Sequence, residues 1–286
     1  MYNPGVRLGR QGMRDVRPVR DIPVKKLAAV EMQFLQVLNS GARHLASAGL
    51  EFLYPATCHC CRGPLPAGNT AARGFCLPCG QALAITASLP KCLRCGATIG
   101  PNLDPKDCGY CRSESFAFDR VYRLGVYDGV LRAACLQAKQ ATGDALAVHL
   151  GGLLWNWEAH ALQAAEFDLV VPVPQHWTAR VWRPHNPAET LAHLLSRQLG
   201  IVCDPTVLRK QRYTPRQSHL TPTQRRSNLR GALAVARSVT LDDLSVLVVD
   251  DVMTTGATAH EAARVLRRAG AARVQVAVVA RGLGRR

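Results

Sequence analysis

Short aliphatic runs separated by amphipathic segments dominate the second half of the chain. "DLVVPVP" (168–174), "SVLVVDD" (245–251) and "VQVAVVA" (274–280) are rich in valine, as parallel strands buried on both faces are. Between the last two runs, "GATAHEAARVLRRAG" has a helical pattern that predicts a helix over residues 257–269, with Gly270 at its C-terminal end. Strand, helix and strand in this order predict a βαβ unit and an α/β domain over residues 115–286.

The first 114 residues have a different pattern. Residues 27–53 carry apolar positions at helical spacing and predict an amphipathic helix that Tyr54-Pro55 ends. Residues 1–26 hold seven basic residues against two acidic ones and little apolar periodicity, so we predict a basic disordered arm. Contact with nucleic acid and a poorly chosen translation start are both open for this arm. Residues 54–114, rich in cysteine, glycine and proline, predict a small loop-rich module.

The cysteines of that module fall in four pairs, each with two intervening residues: Cys58 and Cys61, Cys76 and Cys79, Cys92 and Cys95, Cys108 and Cys111. A two-residue gap lets both thiolates of a turn bind one metal ion, and two such turns complete a tetrahedron. Pairing the turns sequentially predicts two structural zinc ribbons, with an interleaved pairing as the alternative. We interpret His59 and Cys60 as bystanders, and the isolated Cys135 and Cys203 as buried and inert.

Charge and composition narrow the class of protein. The 286 residues include 36 Lys and Arg against 20 Asp and Glu, a net charge of +16, which favours a polyanionic partner such as nucleic acid or a phosphorylated ligand. The N-terminal segment has no continuous apolar region typical of a signal peptide, and no run of about 18 apolar residues predicts a membrane span. We therefore expect a cytoplasmic protein whose eleven cysteines are not a disulfide framework.

The stretch "VLVVDDVMTTGAT" (246–258) carries the strongest chemical signal. If residues 245–249 form a parallel strand, Asp250 and Asp251 lie at its carboxyl end, the edge at which α/β sheets bind ligands. Hydroxyls and backbone N–H groups then follow at a helix N-terminus, which is a ready anion site, from the residues Thr254, Thr255, Gly256, Ala257 and Thr258. Carboxylates that accept from sugar hydroxyls beside donors for a phosphate suit a ribose 5-phosphate.

The same stretch resembles the phosphoribosyl-diphosphate motif of type I phosphoribosyltransferases. With the four upstream cysteine pairs, residues 50–286 resemble the ComF family, in which a zinc module precedes a transferase-like domain. The resemblance implies a type I phosphoribosyltransferase-like parallel sheet flanked by helices. It also implies that Asp250 and Asp251 contact the ribose hydroxyls, that residues 254–258 hold the 5-phosphate, and that Mg²⁺ accompanies phosphoribosyl diphosphate.

Two further segments fit this resemblance. "VVPVPQHWTARVWRPHN" (170–186) is similar to the family's Val-Pro-x-Pro strand and pyrophosphate-side loop. This chain has the family's arginine and asparagine at Arg183 and Asn186, but it replaces the family's glycine, phenylalanine and glutamine. The segment "LQAKQATGDALAVHLGGLL" (136–154) has Lys139 and Asp144 in matching places. Residues 209–230 contain seven basic residues and no acid, and the family resemblance implies a closing loop that binds anions through Arg216, Arg225 and Arg226.

Two classes of function remain open at this point. One is a phosphoribosyltransferase with an unassigned acceptor, connected through the family to DNA uptake and its proteins. The other is a single-stranded DNA-binding protein that uses the phosphoribosyl site and the basic loop without catalysis.

Overall fold

The computed structural model describes residues 57–65, 74–100, 108–112, 114–175, 185–212, 229–237 and 239–282. The predicted basic arm (1–26) and amphipathic helix (27–53) lie outside the described residues, as do Arg183, Arg216, Arg225 and Arg226. Within the described residues, no helix combines the length and the apolar character needed to cross a bilayer.

A five-stranded parallel sheet forms the centre of the molecule. Its strands are β1 (Val121–Val126), β2 (Leu169–Pro172), β3 (Val202–Cys203), β6 (Ser245–Met253) and β7 (Arg273–Arg281), in the spatial order β1-β7-β6-β2-β3. The valine runs form strands because both faces of the sheet are covered, and Val246, Leu247, Val248 and Val249 are fully buried. The predicted α/β class with a parallel sheet is confirmed.

Helices cover the two faces of this sheet unequally. Among the described residues, four helices lie on one face: α1 (Leu77–Ser88), α2 (Gly129–Ala138), α3 (Asp144–Gln163) and α4 (Pro187–Leu199). The other face carries α5 (Ala257–Arg268) and an antiparallel ribbon of β4 (Leu208–Lys210) and β5 (Leu233–Val235). Alternate residues of each strand therefore enter two separate cores: Leu247 and Val249 pack towards α2–α4, and Val246 and Val248 towards α5.

The strand order reverses between β2 and β6. From β2 the chain moves outward to β3, whereas from β6 it moves outward in the opposite direction to β7. A crevice at the carboxyl ends of the strands is expected at such a switch point. Here β2 stops at Pro172, opposite Val249, while β6 continues to pair with β7 as far as Met253. The strand is thus longer than the predicted residues 245–249, and its last residues have a partner on one side only within the sheet.

Candidate functional site: an acidic pair and a phosphate loop at the switch point

Asp250 and Asp251 are both half-buried in the part of β6 that extends past β2. Adjacent strand residues point to opposite faces, and the surroundings of the two carboxylates agree with this. Asp251 faces α2, whose C-cap residue Lys139 places its Nζ 2.8 Å from Asp251 Oδ2. Asp250 lies on the side of the ribbon, where its charge opposes the lowering of the Lys210 pKa by burial.

The two carboxylates differ in how they are compensated. Asp251 has both oxygens engaged, since Oδ1 accepts the N–H of Val252 at 2.9 Å and Oδ2 meets Lys139. Although burial alone would lower it, the carboxylate of Asp251 raises the pKa of Lys139, which favours the charged ammonium. Asp250 accepts the N–H of Asp251 at 2.8 Å, yet burial and the neighbouring Asp251 charge raise its pKa well above the usual range. The pair therefore combines a fixed carboxylate with a group that resists ionisation.

Residues 254–258, here called the phosphate loop, follow directly and lead into α5. Gly256 is the N-cap residue with φ of 79°, a left-handed conformation that glycine adopts without strain. Gly256 has no side chain to cap the helix, and within the part of the chain that the structure describes Thr255 Oγ1 accepts the N–H of Ala257 at 3.3 Å. The N–H groups of the first turn have no carbonyl partner within the helix, so this end offers donors to an anion.

The far end of the predicted closing loop is attached next to this helix. The N–H of Gly231 donates to Glu261 Oε1 at 2.7 Å, and Leu229 packs with Ala257. Glu261 is almost fully buried and is held by two hydrogen bonds from Arg264 of 2.7 Å each. The basic segment thus leaves the ribbon at Lys210 and returns at the first turn of α5, so both of its described ends border the site.

Asn186, which matches the family pattern, is flanked by His185 and Pro187, which depart from it. It caps α4 by accepting the N–H of Ala188 at 3.2 Å, and its Nδ2 donates to the Val173 carbonyl at the end of β2. Pro187 occupies the first turn of α4, where a backbone N–H would have no helical partner. His185 contacts Asp144, with 2.5 Å between Nδ1 and Oδ1. The Lys139–Asp144 loop therefore bridges Asp251 and the start of α4.

The two cysteine groups are confirmed with the sequential pairing. The sulfurs of Cys58, Cys61, Cys76 and Cys79 lie within 4.8 Å of one another, and so do those of Cys92, Cys95, Cys108 and Cys111. We call these the first and the second cluster. Sulfur pairs at 3.7 Å occur in both clusters, close to the separation of about 3.8 Å that a tetrahedral metal with bonds of about 2.3 Å requires. Both groups therefore fit a four-thiolate metal site.

The remaining cysteines take no part in these groups. Cys60 is buried beside the first cluster, and burial and the charge of Cys58 raise its pKa to about 11. His59 contacts His149 with 4.7 Å between ring centroids and the two rings tilted by 40°. Cys135 is buried as predicted, whereas Cys203 is only half-buried at a sheet edge, and burial raises the pKa of both thiols. All eleven cysteines are free.

Several residues of the site were not identified from sequence. The sequence singles out Lys139 and Asp144 only through their family-matching places, and it carries no local signal for Phe116 or for the proximity of Lys210 to Asp250. These contacts join segments far apart in the chain, such as α2 with β6. The one sequence feature that singles out Arg281 is its position directly after an apolar run, in "VAVVAR". In the structure this arginine is buried, which is rare for a charged residue.

The sequence of this chain is similar to a known domain family and to several named bacterial proteins. A family model described as a phosphoribosyl transferase domain matches residues 184–286. The DNA utilization protein YhgH of Salmonella typhi is 32% identical over 234 residues, covering 80% of this chain and 98% of that protein. Its counterpart of the same name in Escherichia coli K12 is 32% identical over 233 residues, covering 80% and 98%. Competence protein F of Haemophilus influenzae is 29% identical over 228 residues, covering 78% and 96%.

Among solved structures, the glutamine phosphoribosylpyrophosphate amidotransferase from B. subtilis complexed with ADP and GMP is similar to part of the chain. The identity is 24%, the TM-score is 0.31, and the match covers 48% of this chain and 27% of that chain. A similarity of this size adds nothing to the assignment of a function.

Proposed function

The chain belongs to the ComF family of competence-associated proteins with a phosphoribosyltransferase-like domain, and on this premise we propose that it binds phosphoribosyl diphosphate together with Mg²⁺. The observation that carries the proposal is the direct succession of Asp250, Asp251 and an uncapped helix N-terminus at the switch point of the sheet. Acceptors for sugar hydroxyls and donors for a phosphate thus stand within one short segment.

In this proposal the ribose lies over the end of β6. Asp251, fixed by Lys139 and the Val252 N–H, accepts a hydrogen bond from one ribose hydroxyl, and Asp250 contacts the neighbouring one. The 5-phosphate occupies the phosphate loop, held by backbone N–H groups and by the hydroxyls of Thr254, Thr255 and Thr258. The left-handed Gly256 allows the backbone to come close to the phosphate.

The pyrophosphate end of the ligand is assigned to the positive segments on either side. We assign Arg183, in the segment between β2 and α4, and Arg216, Arg225 and Arg226 of the basic loop to this end. Mg²⁺ would be held largely by the ligand's own oxygens, since Asp251 is already paired with Lys139.

Phosphoribosyl transfer is the reaction that such a site supports. The bond between C1 of the ribose and a pyrophosphate oxygen breaks, its electron pair leaves with pyrophosphate, and an acceptor nucleophile bonds to C1. The transition state has oxocarbenium character, so positioning and charge stabilisation supply the catalysis. The proposal covers the donor half of the reaction and assigns no acceptor.

Zinc is the metal that we assign to both clusters. Four thiolates in tetrahedral arrangement close the coordination sphere, which is typical of a structural rather than a catalytic zinc site. In the first cluster, burial raises the pKa of Cys58, but backbone N–H groups outweigh this and lower it to about 6, which favours the thiolate that a metal requires. Free thiols in such clusters suit a reducing compartment, so we assign the protein to the cytoplasm.

A second candidate function is single-stranded DNA binding without catalysis, in support of DNA uptake. The ribbon favours it, because Arg209, Arg212, Arg230 and Arg237 are exposed on it and no acid occurs between residues 209 and 237. The names of the relatives, which refer to DNA utilization and competence, point in the same direction. An affinity that falls steeply with salt is expected if this surface contacts phosphates, and a flat salt response would count against it.

A calorimetric titration of the full-length protein with phosphoribosyl diphosphate and Mg²⁺ tests the main proposal. We expect saturable binding that the double variant Asp250→Asn/Asp251→Asn loses, together with pyrophosphate release in the presence of a competent acceptor. The matched control is Asp242→Asn/Asp243→Asn, an exposed acidic pair before β6 that should change nothing. Binding that survives the double substitution at 250 and 251 would reject the site.

A further inference from the structure

Arg281 is a buried arginine, 5% exposed, at the last position of β7. Its Nε donates to the carbonyl of Cys95 in the second cluster at 2.8 Å. Its Nη1 donates to the carbonyl of Met253 at 3.2 Å and also to those of Thr254 and Gly282. One guanidinium therefore joins a metal-binding turn to the first residue of the phosphate loop.

This contact also determines how the loop presents its backbone. The C=O and N–H of one peptide unit point in opposite directions, so the bond from Arg281 to the Thr254 carbonyl points the N–H of Thr255 away from the guanidinium. The same bond keeps carbonyl lone pairs, which would repel an anion, turned towards a positive charge. Arg281 directs its Nε and Nη1 donors at backbone carbonyls, and we therefore assign it as a positioning residue that does not contact the ligand.

Phe116 supplies a second connection, on the glycine of the loop. It packs against the second cluster and stacks on Phe118 with 4.7 Å between ring centroids. A Cβ on Gly256 would lie 3.2 Å from the Phe116 ring. The next residue, Ala117, donates its N–H to His260 Nδ1 in the first turn of α5 at 3.1 Å. The chain leaving the second cluster thus packs directly behind the phosphate loop.

The second cluster is itself firmly seated on the sheet. The N–H of Val121 in β1 donates to the carbonyl of Leu93 at 2.9 Å. A Cβ on Gly96 would come within 2.8 Å of the Val121 side chain and 3.7 Å of Arg281 Cδ. Because this turn packs closely against β1 and Arg281, we expect loss of its fold to displace the groups that Arg281 holds.

We propose that the second cluster is a structural part of the ligand site, so that metal bound there raises the affinity of the phosphate loop for a sugar phosphate. The inference rests on the proposed function, because it concerns the same loop. Coupling between two sites is reciprocal, so a ligand in the loop must equally slow the loss of metal from the second cluster. The first cluster contacts α2 and α3 instead, through Gln137 and His149.

The first test separates the two ends of the ligand by titrating ribose 5-phosphate and inorganic pyrophosphate individually into the zinc-loaded full chain. Arg281→Met should weaken ribose 5-phosphate binding on the order of tenfold, within the usual range of coupling between sites, and leave pyrophosphate binding unchanged. Arg281→Lys should restore part of the affinity, because an ammonium still donates to a carbonyl. Arg273→Met is the matched control, since Arg273 begins the same strand and donates to the Ala165 carbonyl at the opposite end.

The second test does not depend on whether the Arg281 variants fold. Zinc transfer to a chelator is followed in wild type and in Cys61→Ser/Cys76→Ser, which keeps only the second cluster's metal. Saturating ribose 5-phosphate should slow the loss of that one zinc ion on the order of tenfold. Unchanged zinc loss despite demonstrated ligand binding overturns the inference, as does unchanged ribose 5-phosphate affinity in folded Arg281→Met. Absence of any binding by zinc-loaded wild type overturns the proposed function itself.

Discussion

The two cysteine clusters share a ligand set and a spacing but differ in their surroundings. All four cysteines of the second cluster are buried, whereas in the first cluster Cys61 is exposed and Cys76 half-buried. The first cluster packs on helices, with Gln137 Nε2 donating to the Cys60 carbonyl at 2.7 Å. The second packs on β1, on Arg281 and, through Phe116, on the phosphate loop. A repeated motif has thus been placed in two environments with different consequences.

This difference shows what a metal-binding motif determines. Two turns of the Cys-x-x-Cys type specify local geometry and metal affinity, because four thiolates must converge on one point. They do not specify which elements the module packs against. The tertiary neighbours decide whether a metal ion stabilises only its own turns or also a binding loop elsewhere in the chain.

The largest expected difference between the clusters is in stability. Cys92→Ser/Cys111→Ser should lower the free energy of unfolding by about 3–5 kcal/mol, the range reached when a metal site and the packing it supports are lost together. Cys61→Ser/Cys76→Ser should cost less, because Cys61 is exposed and Cys76 is only half-buried. Guanidinium denaturation followed by tryptophan fluorescence measures both losses, and equal losses would remove the distinction in stability.

The fold was accessible from sequence because its signals are local. The valine runs at 168–174, 245–251 and 274–280 gave the central strands, and the spacing of the cysteine pairs gave the sequential grouping. The predicted strand at 245–249 was too short because charged residues at 250 and 251 break the apolar pattern. That strand continues to Met253, since β7 goes on pairing with it beyond the end of β2.

Only part of the site can be predicted from the sequence, because only part of it is formed by residues that are close together in the chain. Asp250, Asp251 and the phosphate loop are contiguous, so their relation is visible in the sequence. Lys139 contacts Asp251 across 112 residues of chain, and Arg281 contacts Thr254 across 27. Local sequence patterns do not predict such contacts. The predicted roles of Asp250, Asp251 and residues 254–258, and those of the arginines at 183, 216, 225 and 226, remain predictions.

The acidic pair gives the next largest effect and tests whether the second cluster acts on the phosphate loop alone. Asp251→Asn should weaken phosphoribosyl diphosphate binding by roughly 10- to 100-fold, since a hydrogen bond to a charged group contributes about 1.5–3 kcal/mol. Asp250→Asn should weaken it less, because Asp250 already resists ionisation. Calorimetry of each single variant and of Asp251→Asn/Arg281→Met measures the coupling between the two regions.

Additive losses in that double variant would show that the loop and the carboxylate contribute separately, as expected for residues without a shared contact. A loss in the double variant no greater than in Asp251→Asn alone would instead mean that Arg281 acts through the carboxylate. That outcome would contradict the path from the second cluster through the phosphate loop.

Rates of metal release should distinguish the two clusters in the wild-type protein. A chelator reaches the exposed Cys61 directly, whereas the four buried cysteines of the second cluster require local opening. We expect two phases of equal amplitude and a total of two zinc ions per chain, with the faster phase lost in Cys61→Ser/Cys76→Ser. Spectrophotometric zinc transfer measures both phases. A single phase would contradict the expected difference in accessibility between the clusters. Loss of the slower phase in that variant would show that the second cluster releases its zinc faster.

The smallest expected effect is the change in stability caused by substituting Asp250. The two clusters stabilise the fold, whereas the buried carboxyl of Asp250 destabilises it. Burial and the charge of Asp251 raise its pKa in the folded protein above the unfolded value of about 3.9. Between those two values the unfolded chain ionises first, so stability falls as pH rises through this window and stays lowered above it.

Asp250→Asn keeps the acceptor for the Asp251 N–H and removes this cost. It should therefore raise stability at pH 7 by about 1 kcal/mol, or roughly 2–4 °C in Tm, and the gain should vanish near pH 3. Thermal unfolding of wild type and variant from pH 3 to 8 measures it, and Asp242→Asn on the surface is the control. A gain that persists at pH 3 would mean that something other than the charge of Asp250 is responsible.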